Sequence, residues 1–364
     1  MIQDERLYIA APICFYPRGR ILWAGRKDEA EYYGFTVTCP NDRKVAASPD
    51  PRVRSDSIFQ GCAESMADST VIIADLENYR GFMPDGGTVY EVGMAYGRGL
   101  KMYAFTRDKR GMGQKYLGPV YKESSVADVT GKNLPNYELP FDVCLTASCK
   151  LVEGNFRDAL RTLMEDLEEE SRKKAVRGYS LKKAAPESWK PASGRPLVYI
   201  SDFHRYDPDA PARYGEMRKV LEENGFEAVF PTDPAPGVED IETDDPMARV
   251  YNLFDRYQQH VRDCDVVLAN LNDYLGYEPS SDSGFECGMG YELGKKLFAF
   301  MDDNGPVRNR VACTEKDGRC ADINGYTVEN LGSAQNLMFG SSVDILGGGF
   351  ESAVRQMAEK LKEL

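Results

Sequence analysis

The chain has 364 residues, 42% hydrophobic and 28% charged, with a formal net charge of −13. That length ordinarily means two domains, each able to bury a core without disulfides or metal. The composition suits a soluble globular protein with no membrane span, and the acidic balance argues against a nucleic-acid polymer and for a small-molecule partner.

In chain order, the opening "MIQDERLYIAAP" lacks the basic start and long apolar stretch of a signal peptide, which predicts a cytoplasmic protein. Nine cysteines without tight pairing suit reduced thiols, and two histidines make a zinc site improbable. Short β-rich apolar runs at Leu7–Ala10, Thr36–Cys39, Val71–Ala74 and Met102–Phe105 predict buried strands. Amphipathic stretches near Ile21–Tyr33, Ile58–Met66 and Thr88–Tyr96 predict the helices between them. Strands alternating with helices predict a parallel sheet covered on both faces, with ligands beyond the carboxyl ends of the strands. The less periodic segments Thr106–Leu139 and Asp302–Gln335 read as lid or interface loops.

The pattern then repeats. "PDGGTVYEVGMAYGRG" around Glu91 returns as "PSSDSGFECGMGYELG" around Glu286 without a gap, so that Asp85 meets Ser280 and Gly93 meets Gly288. "LYIAAP" returns as "VYISDF", placing Tyr8 opposite Tyr199, and "MADSTVIIADL" as "DCDVVLANL", placing Asp68 opposite Asp265. Matched blocks in the same order predict a tandem duplication: a first domain over 1–174, a charged and then Pro/Ser/Gly-rich linker over 175–195, and a second domain over 196–364.

Glu91 has two readings. Thr88-Val89-Tyr90-Glu91 and Ser283-Gly284-Phe285-Glu286 both have the form of a capping box, in which the glutamate only serves the backbone. Alternatively Glu91 is a nucleophile, its charged form favoured by a helix N-terminus, with Asp85 on the Pro-Asp-Gly-Gly loop as a second carboxylate of different protonation. Tyr8 either orients that carboxylate or is a half-buried aromatic. Phe15, Tyr16 and Trp23 either stack on a base or pack. Arg18 and Arg20 either meet a phosphate or are solvated.

Tyr8-Ile9-Ala10-Ala11-Pro12, Asp68, the segment Pro84–Thr88 followed by Glu91 and Gly93, and "QNLMF" with Asn336 and Met338 together resemble the nucleoside 2-deoxyribosyltransferases. They are similar also to the related deoxynucleoside 5'-monophosphate N-glycosidases. The resemblance implies two flavodoxin-like (Rossmann-like) five-stranded α/β layers paired as a pseudo-dimer, with further homo-oligomerisation left open. It implies no cofactor and no metal. It assigns Glu91, Asp85 and Tyr8 to catalysis, and Asp68, Gly87, Thr88, Phe15, Asn336 and Met338 to substrate. Asn336 and Met338 would reach in from the second copy. The reverse composite, Tyr199, Ser280, Glu286 and Asp142, is drifted and implies a vestigial or regulatory pocket. The implied activity is transfer of deoxyribose between bases in nucleoside salvage. Hydrolysis of the same bond and a noncatalytic nucleotide-sensing module are the alternatives.

Overall fold

In the computed structural model the described residues are 4–39, 42–115, 120–121, 125–134, 138–172, 194–316 and 319–362. The expected linker falls almost wholly outside them. The first half runs β1 (Arg6–Ala10), α1 (Gly19–Tyr32), β2 (Thr36–Thr38), α2 (Pro51–Ala67), β3 (Val71–Asp75), α3 (Gly86–Arg98), β4 (Lys101–Thr106), α4 (Val143–Ser148), β5 (Lys150–Glu153) and α5 (Phe156–Arg172). The second repeats it: β6 (Leu197–Ser201), α6 (Ala210–Glu223), β7 (Glu227–Val229), α7 (Pro246–Asp263), β8 (Val266–Asn270), α8 (Ser281–Glu292), β9 (Lys296–Met301), α9 (Leu337–Ser342), β10 (Asp344–Gly347) and α10 (Gly349–Lys362). Each half folds one sheet, β2-β1-β3-β4-β5 and β7-β6-β8-β9-β10, with every pairing parallel. This 2-1-3-4-5 order is the flavodoxin-like arrangement, doubled.

Alternation along β1 decides what faces what. Leu7 and Ile9 point outward with Val71 and Ile73 into a core closed by α1 and α5, through Trp23, Ala30, Leu160 and Leu163. Tyr8 and Ala10 point inward with Ile72 and Ala74, into a core that continues without a break through α3 and α8 into Tyr199, Val267 and Ala269 of the other half. The strands Val71–Asp75 and Val266–Asn270 are buried at every residue, as strands covered on both faces must be.

Helix α2 begins earlier than its periodicity predicts. Asp50 and Asp245 cap α2 and α7 by accepting from Arg52 N at 2.8 Å and Met247 N at 2.9 Å, each ahead of a proline at the first helical position. The strand geometry also shifts one expected pairing. Arg6 N donates to Thr70 Oγ1 at 2.9 Å as Leu197 N donates to Asp265 Oδ2 at 2.8 Å, so Thr70, not Asp68, is the counterpart of Asp265.

Two of the places where the halves meet are near-symmetric. Gly81 and Gly276 form a β-bridge, flanked by Phe82 N to Leu275 O (2.9 Å) and Tyr277 N to Arg80 O (3.1 Å). Helices α3 and α8 cross where Gly93 faces Gly288. A β-carbon on Gly93 would stand 2.1 Å from Phe285 O, and one on Gly288 would stand 2.0 Å from Tyr90 O. Both partners are helix backbone and cannot turn aside, so the crossing depends on glycine at both positions. Gly288→Val should cost about 3 kcal/mol or more, above the usual overpacking range, because the helices themselves must separate. A fall in the urea midpoint of less than about 1 kcal/mol equivalent would contradict this geometry.

One cysteine expectation is overturned. Cys313 and Cys320 are joined in a disulfide across the hairpin Cys313–Lys316/Arg319–Asp322, whose antiparallel pairing holds their Cα atoms 5.6 Å apart. No helix among the described residues is long and apolar enough to cross a membrane.

Candidate active site

The capping-box reading of Glu91 is corrected by where α3 begins. Asp85 is its N-cap, accepting from Thr88 N at 2.7 Å and Thr88 Oγ1 at 2.8 Å. Glu91 therefore lies in the second turn, too far along to serve the first amides. Its Oε1 instead accepts from Tyr8 Oη at 2.5 Å. Tyr8 is fully buried at the centre of the first sheet and stands behind the carboxylate. It is thus not the half-buried aromatic of the alternative reading.

In front of Glu91 is a cavity of about 390 Å³. Asp85, Gly87, Thr88 and Phe15 line it from the first half, and Asn336, Met338 and Glu329 from the second. Asn336 caps α9, its Oδ1 accepting from Met338 N at 2.9 Å, and this fixes its amide against Gly87. A β-carbon at Gly87 would come within 2.6 Å of that Oδ1, so glycine there is what lets the second half approach. Asp68 is not brought to the cavity. It is the C-cap of α2, exposed, 3.6 Å from Arg43, at the amino end of the sheet and so opposite to the cavity. Trp23 lines the cavity, whereas Tyr16 stacks on Tyr326 with ring centres 4.6 Å apart.

Burial dominates the electrostatics. The Glu91 carboxyl is pushed up to about 8 by burial, with the charge of Asp85 adding, while hydrogen bonds from Tyr8 and Cys62 pull the other way. The expected stabilisation of its anion by the helix start is overruled, since that effect fades within the first turn. Asp85 is also raised by burial, against its bonds from Thr88 and the charge of Arg80. Its Oδ1 is buried without a protein partner.

Three groups here escaped the sequence reading. Glu329 is pushed up to about 8 by burial and by Asp85, and its Oε1 also lacks a partner. Glu278 accepts from Gly86 N at 2.9 Å. Arg80 stacks 4.6 Å over Tyr79, bonds Asp322 at 3.0 Å and Thr327 O at 2.7 Å, and so ties the second half's hairpin to this site. Glu329 was legible only as an acid seven residues before Asn336, inside a segment assigned to a lid.

The second copy shows the same frame filled in. Glu286 accepts from Tyr199 at 2.8 Å, from Ser201, and from both terminal nitrogens of Arg205 at 2.8 Å each. Arg205 occupies the place that Cys14 holds in the first copy and lies 4.5 Å over Tyr257, the counterpart of Cys62. Asp282, the counterpart of Gly87, accepts from Cys144 N at 2.9 Å, while its own amide donates to Asp142 at 2.9 Å. Ser280 holds the N-cap position of α8, but its hydroxyl is buried and makes no capping bond. Thus Cys14, Cys62 and Gly87 leave space where Arg205, Tyr257 and Asp282 close it.

Comparison with family models agrees with this doubled frame. A family model described as Nucleoside 2-deoxyribosyltransferase matches residues 7–150 and again residues 198–338. Among solved structures, a 2-desoxiribosyltransferase from Leishmania mexicana is 25% identical, covering 45% of this chain and 97% of its own, with a TM-score of 0.35. Spinosyn rhamnosyltransferase SpnG, complexed with thymidine diphosphate, is 12% identical, covering 99% of this chain and 91% of its own, with a TM-score of 0.24. No curated protein matches the chain. With its family model matched twice over most of its length, the chain belongs to the nucleoside 2-deoxyribosyltransferase family as two copies in tandem.

Proposed function

We propose that the cavity at Glu91 cleaves the N-glycosidic bond of a 2'-deoxynucleoside by a retaining double displacement and passes the sugar to a second base. The observation that carries this reading is the Glu91 carboxyl, 2.5 Å from Tyr8 Oη, lining an open cavity together with Asp85, one of whose buried oxygens has no protein partner. Ionised Glu91 attacks C1' and the C1'–N bond breaks, its electron pair leaving with the base. Protonated Asp85 gives that base its proton. The incoming base, or water, then attacks C1' from the opposite side. It releases Glu91 as carboxylate and returns a proton to Asp85. Tyr8, whose phenol is held protonated by burial and by Glu91, keeps the carboxylate aimed. Asn336 and Met338 position the sugar from the second half.

Incubation with deoxyinosine, with and without adenine, separates the outcomes. Deoxyadenosine formed only with adenine supports transfer. Hypoxanthine without deoxyadenosine supports the hydrolase alternative. No cleavage of any deoxynucleoside or its phosphates leaves the noncatalytic sensor. Asn336→Ala should lower kcat/KM by about 10- to 100-fold, a loss expected for misplaced substrate. An unchanged rate would show that the second half does not complete the site.

A further inference from the structure

The cavity opens into a larger one. Cys14, Trp23, Arg319 and Thr327 line both the Glu91 cavity and an outer groove of about 1340 Å³, which runs between the start of α1 and the disulfide-closed hairpin of the second half. Arg18, Arg20 and Arg319 line this groove, and no aspartate or glutamate does. All three are exposed, and among the described residues none has a carboxylate partner. In a chain of net charge −13, that is an uncompensated positive wall. Arg18 is also held in a left-handed conformation (φ 63°) that residues other than glycine seldom adopt, at the N-cap of α1, where its side chain makes no capping bond.

The duplication supplies an internal control. The N-cap of α6, which matches that of α1, is Asp209, and the counterpart of Arg20 is Pro211. The half whose pocket is closed thus has an acid and a proline where the half with the open cavity has two arginines.

We propose that this groove binds a chain of phosphoryl groups, so that the preferred substrate is a deoxynucleoside di- or triphosphate with its sugar at Glu91 and its anionic arm in the groove. Arg319 stands in both hollows, but Arg18 and Arg20 line only the outer one. A single phosphate beside the sugar therefore meets Arg319 and Arg308, which also lines the Glu91 cavity, and only a longer chain reaches Arg18 and Arg20. Guanidinium forks match phosphoryl oxygens in charge and geometry. The substrate part rests on the N-glycoside reading above; the anion site does not.

Two measurements keep these apart. Tripolyphosphate, titrated calorimetrically into the full chain, should bind more tightly than orthophosphate. The Arg18→Ala/Arg20→Ala variant should weaken it at least tenfold. Equal binding by wild type and variant overturns the groove, whatever the enzyme cleaves. In parallel, kcat/KM for deoxyadenosine triphosphate should exceed that for deoxyadenosine at least tenfold, and the double variant should abolish that preference while leaving deoxyadenosine turnover unchanged. A preference that survives the variant, or a wild type that prefers the bare nucleoside, overturns the substrate assignment. Arginine-dependent tripolyphosphate binding without cleavage of either compound would uphold the anion site and reject the N-glycoside chemistry.

Discussion

Glu91→Ala is expected to lower turnover by about 10³-fold or more, the loss typical of removing a nucleophile, while Glu286→Gln leaves the rate of the folded protein within about threefold. The two residues occupy equivalent turns of equivalent helices, so propensity and capping cannot separate them. Their surroundings do. Glu91 has one firm donor, Tyr8, and a cavity in front of it; Glu286 accepts four hydrogen bonds, two of them from the arginine that fills that space. The pH profile adds a second signature. Because Glu91, whose carboxyl sits at about 8, must be ionised while Asp85 stays protonated, the kcat/KM profile should carry an inflection near pH 8. Equal losses in both variants would mean two working sites. A profile without an inflection between pH 7 and pH 9 would mean that Glu91 is not the titrating nucleophile.

Much of this frame is legible in the residues because its causes are local. Apolar runs such as Val71–Ala74 can only be strands buried on both faces, and the ungapped repeat around Glu91 and Glu286 places the same helix in both halves. The misses have physical causes as well. Periodicity marks the apolar second half of α2, but its polar first half is announced only by Asp50 and Pro51. The half-exposed edge strand Lys150–Glu153 carries little apolar pattern. Asp68 is an acid near a strand, and only the helix end at Ala67 shows that it faces away from the cavity. The cavity itself is the least legible part. It exists because three side chains are small, and Cys14, Cys62 and Gly87 signal nothing until they are set against Arg205, Tyr257 and Asp282. Glu329 is invisible for a related reason: its role depends on burial beside Asp85, which comes from a loop of the other half.

The same comparison sets the largest expected effect on stability. Arg205→Leu should destabilise the fold by about 3–5 kcal/mol, the usual cost of breaking a buried ion pair from one side. The guanidinium is fully buried, bonds Glu286 twice at 2.8 Å, lies 3.7 Å from Asp282, and donates to Asp202 O at 2.9 Å. Without it, Glu286 and Asp282 would share a buried space with Asp142 and no cation. The expected remedy is to remove the charge on the other side. Arg205→Leu/Glu286→Gln should recover most of the loss, since a neutral pair of similar volume is commonly as stable as a buried ion pair. Urea midpoints for the two single variants and the double variant complete the cycle. If Arg205→Leu costs less than about 1 kcal/mol, the arginine is not what holds the second pocket shut. If instead the double variant recovers while the rate at Glu91 is kept, the second copy has exchanged a site for a strut. Selection on that half would then act through the loops it lends to its twin, Asn336 and Glu329 first among them, rather than through Glu286.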